Sequence, residues 1–314
     1  MPIKIVDAQV HLWGANTPER PWPQGHSQPQ RERVFVRQDL LAEMRAAGVD
    51  RAVIVPPSWE GCRNDLGIEA ARLYPDKFAV MGRLELKDPA SPALIAAWKK
   101  QPGMLGVRLT FHTAAQRPWL TDGTADWFWP AAERAGIAVM IYTPGEVKLV
   151  APIAERHLGL KLIIDHMAIP RGAKDDAAFA HIEELCGFAR FANVAVKVTS
   201  LPSYSDEAYP HPKLHQYVRR MYDAFGPKRL FWGSDLTRML CSYRLCKTMF
   251  TEEMRWMTGD DLEWIMGRGV CEWLGWPLPA SAAPLLYRQF SGRPPARSSC
   301  SLPRLRRRAT APYS

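Results

Sequence analysis

Eight short apolar runs, rich in β-branched side chains, recur along this chain with stretches of helical periodicity between them. They are Ile3 to Val10, Ala52 to Val55, Phe78 to Leu84, Leu105 to Thr110, Ala138 to Tyr142, Leu160 to Asp165, Val194 to Val198 and Leu230 to Trp232. Strands alternating with helices predict a parallel sheet joined by crossover helices, because parallel neighbours need a long return path and helices supply it. The helices are expected at 40–47, 64–74, 92–100, 126–135, 147–157, 176–189, 212–225 and 260–267, with Gly48, Pro75 and Gly136 as stops. In five of the runs a His, Asp, Tyr or Arg falls at or just past the C-terminal end. A closed barrel gathers those ends around one mouth, whereas an open sheet spreads them along a line. The fold class read from the sequence is therefore α/β, a (β/α)8 TIM barrel.

The barrel is expected over residues 1–277, followed by a Pro-, Ser-, Ala- and Arg-rich tail over 278–314 with no periodicity, expected to be disordered. The formal charge is +9, but the tail holds seven arginines and no acid, so residues 1–277 carry only +2. A nearly neutral body exerts no strong pull on phosphate backbones, so no nucleic-acid partner is expected. No apolar run approaches the roughly 18 residues that span a bilayer, so no membrane partner is expected either. The start, with no charged segment leading into an apolar one, reads as cytoplasmic. The six cysteines form no CxxC pair and are expected reduced. Gly14 to Gln38, rich in Pro, Gln and Arg, is too long for a simple connection and reads as a lid.

Side chains alternate along a strand, so Asp7, Gln9 and His11 in the first run are expected on one side. Three polar groups on one face fit a site better than an aliphatic layer. The sixth run ends Asp165-His166, the eighth Gly233-Ser234-Asp235, the fourth carries Arg108 and ends before His112, the fifth ends at Tyr142 and the seventh holds Lys197. Asp165 is expected to support its strand end, since it points away from His166. Asp7 could anchor His11 or Lys197, and Asp235 could pair with Arg238. Trp127, Trp129, Trp264 and Trp273 read as packing between helices and barrel, while Trp13 and Trp22 are placed for a site wall.

The opening Asp7-x-Gln9-x-His11-x-Trp13 resembles the Asp-x-His-x-His signature of the amidohydrolase-related superfamily, and Ile164-Asp165-His166 and Trp232-Gly233-Ser234-Asp235 resemble its sixth- and eighth-strand motifs. The likeness spans about residues 3 to 277. Metal-dependent relatives hold their ion with both histidines of the first motif, a strand-five histidine and the strand-eight aspartate. Here Gln9 and Tyr142 stand where two imidazoles are expected, and a Gln amide is a poor zinc ligand. No cofactor is favoured; a divalent metal such as zinc, were one bound, would take His11, His166 and Asp235. The Tyr142, His166 and Asp235 pattern is similar to the metal-independent 2-pyrone-4,6-dicarboxylate lactonase branch, from which Gln9 also departs.

The resemblance implies a hydrolase opening a small organic-acid ester or lactone by water activation. Asp235 would be the base, His11 and His166 donors or orienters near the carbonyl, and Tyr142 a further donor. Arg108, Lys197, Gln9 and Arg238 would bind an anionic substrate, arginine offering a fork to a carboxylate. Two other readings stay open: a nonoxidative decarboxylase of an aromatic or muconate-type acid, and a nonenzymatic barrel that binds a small acid. Assembly as a homo-oligomer also stays open.

Overall fold

The computed structural model describes residues 3–25, 29 and 31–278; the tail, Cys300 and the middle of the expected lid lie outside these residues. Eight strands follow in sequence order: β1 Val6–Val10, β2 Arg51–Ile54, β3 Phe78–Gly82, β4 Met104–Thr110, β5 Ala138–Tyr142, β6 Leu162–Ile164, β7 Val194–Thr199 and β8 Leu230–Gly233. Each pairs in parallel with the next, so spatial order equals chain order. The seam between β8 and β1 is closed by the Asp235 N–H, which donates to the Gln9 carbonyl at 3.0 Å. It is reinforced by Asp7 Oδ1, which accepts from the Ser234 N–H at 2.9 Å. The expected (β/α)8 barrel is the fold observed, and the strand alternation read from the sequence is what builds it.

Several helices are shorter than expected. The 147–157 segment is a 3-10 turn over Val147–Val150 followed by a helix over Ala151–Arg156. Pro152 sits in the first turn of that helix, where its missing N–H leaves no helical bond unmade. The 176–189 segment divides into Asp175–Ala178 and Ile182–Gly187, and the 260–267 segment passes from helix into a π-type turn at Trp264.

The barrel interior is filled from every side: Val53, Met81, Met140, Ile163, Ala195 and Phe231 come from six different strands, and Val270, Cys271 and Leu274 of the helix Gly269–Leu274 plug the floor. On β4 the inward position is Gly106, where a Cβ would lie 2.2 Å from the Ala138 carbonyl oxygen and 2.6 Å from the Met81 terminal methyl. A side chain there would part β4 from β5. Five cysteines are free thiols, as expected, with Cys241 and Cys246 Sγ 3.6 Å apart. Among the described residues no helix is long and apolar enough to cross a membrane.

Candidate active site

The strand register of β1 decides which polar groups reach the mouth. A register shift between Asp7 and Val10 interrupts the alternation, and the Asp7 carboxylate accepts the Gln9 N–H at 2.9 Å across it. Asp7 therefore does not share a face with Gln9 and His11, contrary to the sequence expectation. It turns to the β1–β8 seam, where it accepts from Ser234 and, at 2.7 Å, from the Tyr243 hydroxyl. It anchors neither His11 nor Lys197. Fully buried, its carboxyl is pushed up to about 6 by burial, against the hydrogen bonds it accepts.

Three strand ends turn sharply at the mouth. His166 after β6, Ser200 after β7 and Asp235 after β8 have φ of 51°, 62° and 53°, a left-handed backbone that costs a non-glycine residue roughly 1 kcal/mol. Met167 and Ala168 continue the same conformation, both at φ 52°. Strain at three corresponding corners marks positions held for a purpose other than stability.

Asp235 is buried at the centre. Its Oδ1 lies 3.0 Å from His11 Nε2, its Oδ2 accepts the Ser200 hydroxyl at 2.8 Å, and Arg238 Nε lies 3.6 Å from Oδ2. The His11 contact is close but not aligned as a hydrogen bond. His11 Nδ1 donates to the Val55 carbonyl at 2.6 Å, since a carbonyl can only accept. With Nδ1 protonated, two lone pairs would face each other at Nε2 and Oδ1 unless a proton lies between them. Burial alone would push the Asp235 carboxyl up, but the neighbouring His11, with Arg238 beyond it, holds it well below the carboxylate range.

His166 is fixed by a chain of donors whose direction follows from Lys197. An ammonium can only donate, so the Gln9 carbonyl oxygen faces Lys197 and the Gln9 amide N–H faces His166 Nε2, 3.1 Å away. The lone pair of Nε2 is thereby occupied, and Nδ1 carries the proton, donating to Thr199 Oγ1 at 2.6 Å. Burial pushes the ring's pKa down to about 3, outweighing the nearby carboxylates, so it stays neutral. Both nitrogens are spoken for, so of the two roles expected for His166, donor or orienter, its geometry leaves that of orienter.

Lys197 and Gln9 are also corrected. Neither lines the pocket: Lys197 has no exposed surface, and its ammonium contacts Asp165 Oδ1 at 2.7 Å as well as Gln9. They sit one layer below the mouth, where a lysine is tolerated only with a carboxylate beside it. Asp165, expected to support its strand end, does so as an ionic hub, since its Oδ2 also accepts from Arg108 Nε at 2.8 Å. Coulombic pull from Lys197 and Arg108 overcomes burial and holds Asp165 down at about 2.

The pocket above is about 70 Å³ and is lined by His11, Arg108, Tyr142, His166, Asp235 and Arg238, the expected residues, together with Ser58, Trp59, His112 and Arg171. Tyr142 packs edge-on against His166 at 5.3 Å between ring centroids and lies 5.2 Å below the Arg108 guanidinium carbon. Burial keeps its hydroxyl protonated. The aromatic wall is Trp59, edge-on to His11 at 6.1 Å; Trp13 backs it at 5.6 Å and Trp22 does not line the pocket, contrary to the expectation for both. Trp59 and Arg171 were missed because they lie in connections, Trp59 in the turn Ser58–Glu60 after β2 and Arg171 beyond the strained corner after β6. The one available signal was their position just past strand ends. Among the described residues no three His, Cys, Asp or Glu side chains converge as a metal ion would need.

Comparison with known proteins bears on the family and the fold. The family model described as amidohydrolase matches residues 6–294. An L-fucono-1,5-lactonase of Burkholderia ambifaria is 31% identical over 247 residues, covering 73% of this chain and 79% of that protein. Among solved structures, an amidohydrolase from Burkholderia multivorans with bound zinc superposes with a TM-score of 0.71 at 20% identity, covering 87% of this chain and 100% of that one. A probable 2-pyrone-4,6-dicarboxylic acid hydrolase from Acinetobacter baumannii with citric acid bound gives 0.67 at 16% identity, with coverage of 87% and 100%. At such identities the two structures speak to the fold alone.

Proposed function

Because this chain belongs to the amidohydrolase family, the open matter is which bond its site breaks, and we propose hydrolysis of a small lactone or ester of an organic acid. The observation that carries this reading is the composition of the pocket: one ionised, buried carboxylate, Asp235, against His11, surrounded by the guanidinium groups of Arg108, Arg171 and Arg238. A site with three cations and one base suits an anionic substrate and an anionic transition state. The relationship to a lactonase supports the same bond type.

Asp235 takes a proton from water, whose oxygen adds to the carbonyl carbon. Arg238 and the Tyr142 hydroxyl are the donors placed for the developing oxyanion. As the ring C–O bond breaks, the proton held at Asp235 passes to the leaving alkoxide, giving a hydroxy acid and the regenerated carboxylate. His11 lies 3.0 Å from Asp235 and is locked in orientation by Val55. His166 acts as a positioning residue: Thr199 and Ser200 pack on its Nδ1, and Ser200 donates to Asp235.

The donor set does not fit zinc. His166 Nε2 already accepts the Gln9 amide, and the amide cannot turn without presenting its NH2 to the Lys197 ammonium. No step is routed through a metal, and the relationship to a lactonase favours hydrolysis over the decarboxylase reading.

The test is elemental analysis of the purified protein, with turnover of a lactone panel before and after chelation. The expected outcome is lactone opening that survives chelation and falls by about 10²–10⁴ in kcat in Asp235→Asn, the usual contribution of a general base. Near-stoichiometric zinc with chelator-sensitive turnover would overturn the metal-free reading, and an Asp235→Asn variant of undiminished kcat would overturn the mechanism.

A further inference from the structure

Beside the reacting pocket lies a larger cavity of about 510 Å³, and Arg108 lines both. The smaller space is a fraction of the larger one, so a substrate longer than a small ring extends out of it. The larger cavity is also lined by Arg83, directly after β3. Its backbone is pinned by Asn64, which accepts the Arg83 N–H at 2.8 Å and donates to its carbonyl at 2.9 Å. The residue is only 7% exposed, yet its guanidinium makes a single hydrogen bond, to Thr110 Oγ1 at 3.0 Å; the buried Nε and Nη1 donate to nothing.

A buried guanidinium with two idle nitrogens is costly, and the neighbourhood makes it worse. Burial, and after it the Arg108 charge, push Arg83 down to about 10. Asp165, the nearby buried carboxylate, is already engaged by Arg108 and Lys197. Glu85 is the one acid lining the cavity; it is exposed and makes no ion pair with Arg83. This corner of the barrel mouth therefore holds more buried positive charge than the protein itself neutralises.

We propose that the cavity between Arg83 and Arg108 is a subsite for a carboxylate carried on the substrate, remote from the bond that is broken. The substrate's reacting carbonyl sits at Asp235, its chain passes Arg108, and its second anionic end lies against Arg83 and offsets its charge. Arg83 is a specificity-determining residue that touches substrate and takes no part in bond breaking. As a statement about substrate class this rests on the hydrolase reading above, but occupancy of the cavity can be tested without turnover.

Cys62 lines the same cavity and is exposed, which gives a local reporter in the unmodified chain. The experiment is the rate of Cys62 alkylation by iodoacetamide, read by peptide mass spectrometry against Cys186 in the same molecules, with adipate or its uncharged diamide present. Adipate should slow alkylation of Cys62 by about tenfold, the scale of one charge-assisted contact, while the diamide does not and Cys186 is unaffected. Arg83→Met should abolish the protection and Arg83→Lys should keep part of it. Equal alkylation with adipate and diamide in the unmodified chain overturns the proposal, with no variant needed. Protection that persists in Arg83→Met overturns it too. Adipate protection in a protein that opens no lactone would sink the hydrolase reading and leave the anion subsite standing.

Discussion

Lys197 carries a charge with no surface to put it on, and Asp165 and Gln9 are what make that tolerable. Two other buried groups, His166 and Asp7, have opposite effects on how stability depends on pH. His166 is held neutral, its pKa near 3 against about 6.5 in an unfolded chain, so the unfolded state binds more protons between those values and stability is lost as pH falls through that window. Asp7 is pushed up to about 6 from 3.8, so the folded state binds more protons there and stability is lost as pH rises from 3.8 to 6. Between pH 4 and 6 the two slopes oppose. In Asp7→Asn the second slope disappears while the carbonyl oxygen can still accept from the Gln9 and Ser234 amides. Urea unfolding of that variant should then show stability falling on acidification by up to about 1.4 kcal/mol per pH unit, steeper than in the unmodified chain. An unchanged slope would mean that Asp7 titrates near its ordinary value.

At the scale of elements, the site depends on two departures from regularity. The register shift in β1 sends Asp7 to the seam and Gln9 and His11 toward the mouth, so one strand both closes the barrel and supplies the site. The left-handed corners after β6, β7 and β8 bring His166, Ser200 and Asp235 together in one hydrogen-bonded group. Below them, β4 and β5 approach so closely at Gly106 that a methyl group would meet the Ala138 carbonyl oxygen at 2.2 Å. Backbone cannot yield as a flexible side chain can. Gly106→Ala should therefore cost more than the 1–3 kcal/mol typical of an overpacked core, seen as a lowered urea midpoint or as insoluble protein. A variant of unchanged midpoint would show that the two strands can separate without penalty.

For the whole molecule, charge is divided unevenly: the arginine-rich 278–314 segment carries seven of the nine net positive charges. Among the described residues, the groups that line the candidate pocket lie between His11 and Arg238. Removing residues 279–314 should leave kcat/KM for a lactone unchanged and abolish any salt-sensitive binding to nucleic acid, measured by filter retention at low ionic strength. Loss of turnover on truncation would show that the segment completes the site.

The sequence by itself determined the parallel eight-stranded alternation, because short apolar runs separated by helical periods leave few other ways to bury that surface. It also determined which strand ends carry polar groups, and so brought His11, Tyr142, His166, Asp235, Arg108 and Arg238 to one address. Tertiary structure alone decided what each group does there. Lys197 and Gln9 lie on the right strands but one layer too deep, and His166 faces the pocket with both nitrogens engaged. Those outcomes are set by partners 157 and 188 residues away in the chain, which local periodicity cannot register. Trp59, Arg171 and Arg83 come from connections and strand ends whose direction only the folded backbone fixes. Where an ionisable group ends up is decided by which opposite charge or hydrogen-bond acceptor offsets its desolvation, and that is a property of contacts made across the barrel.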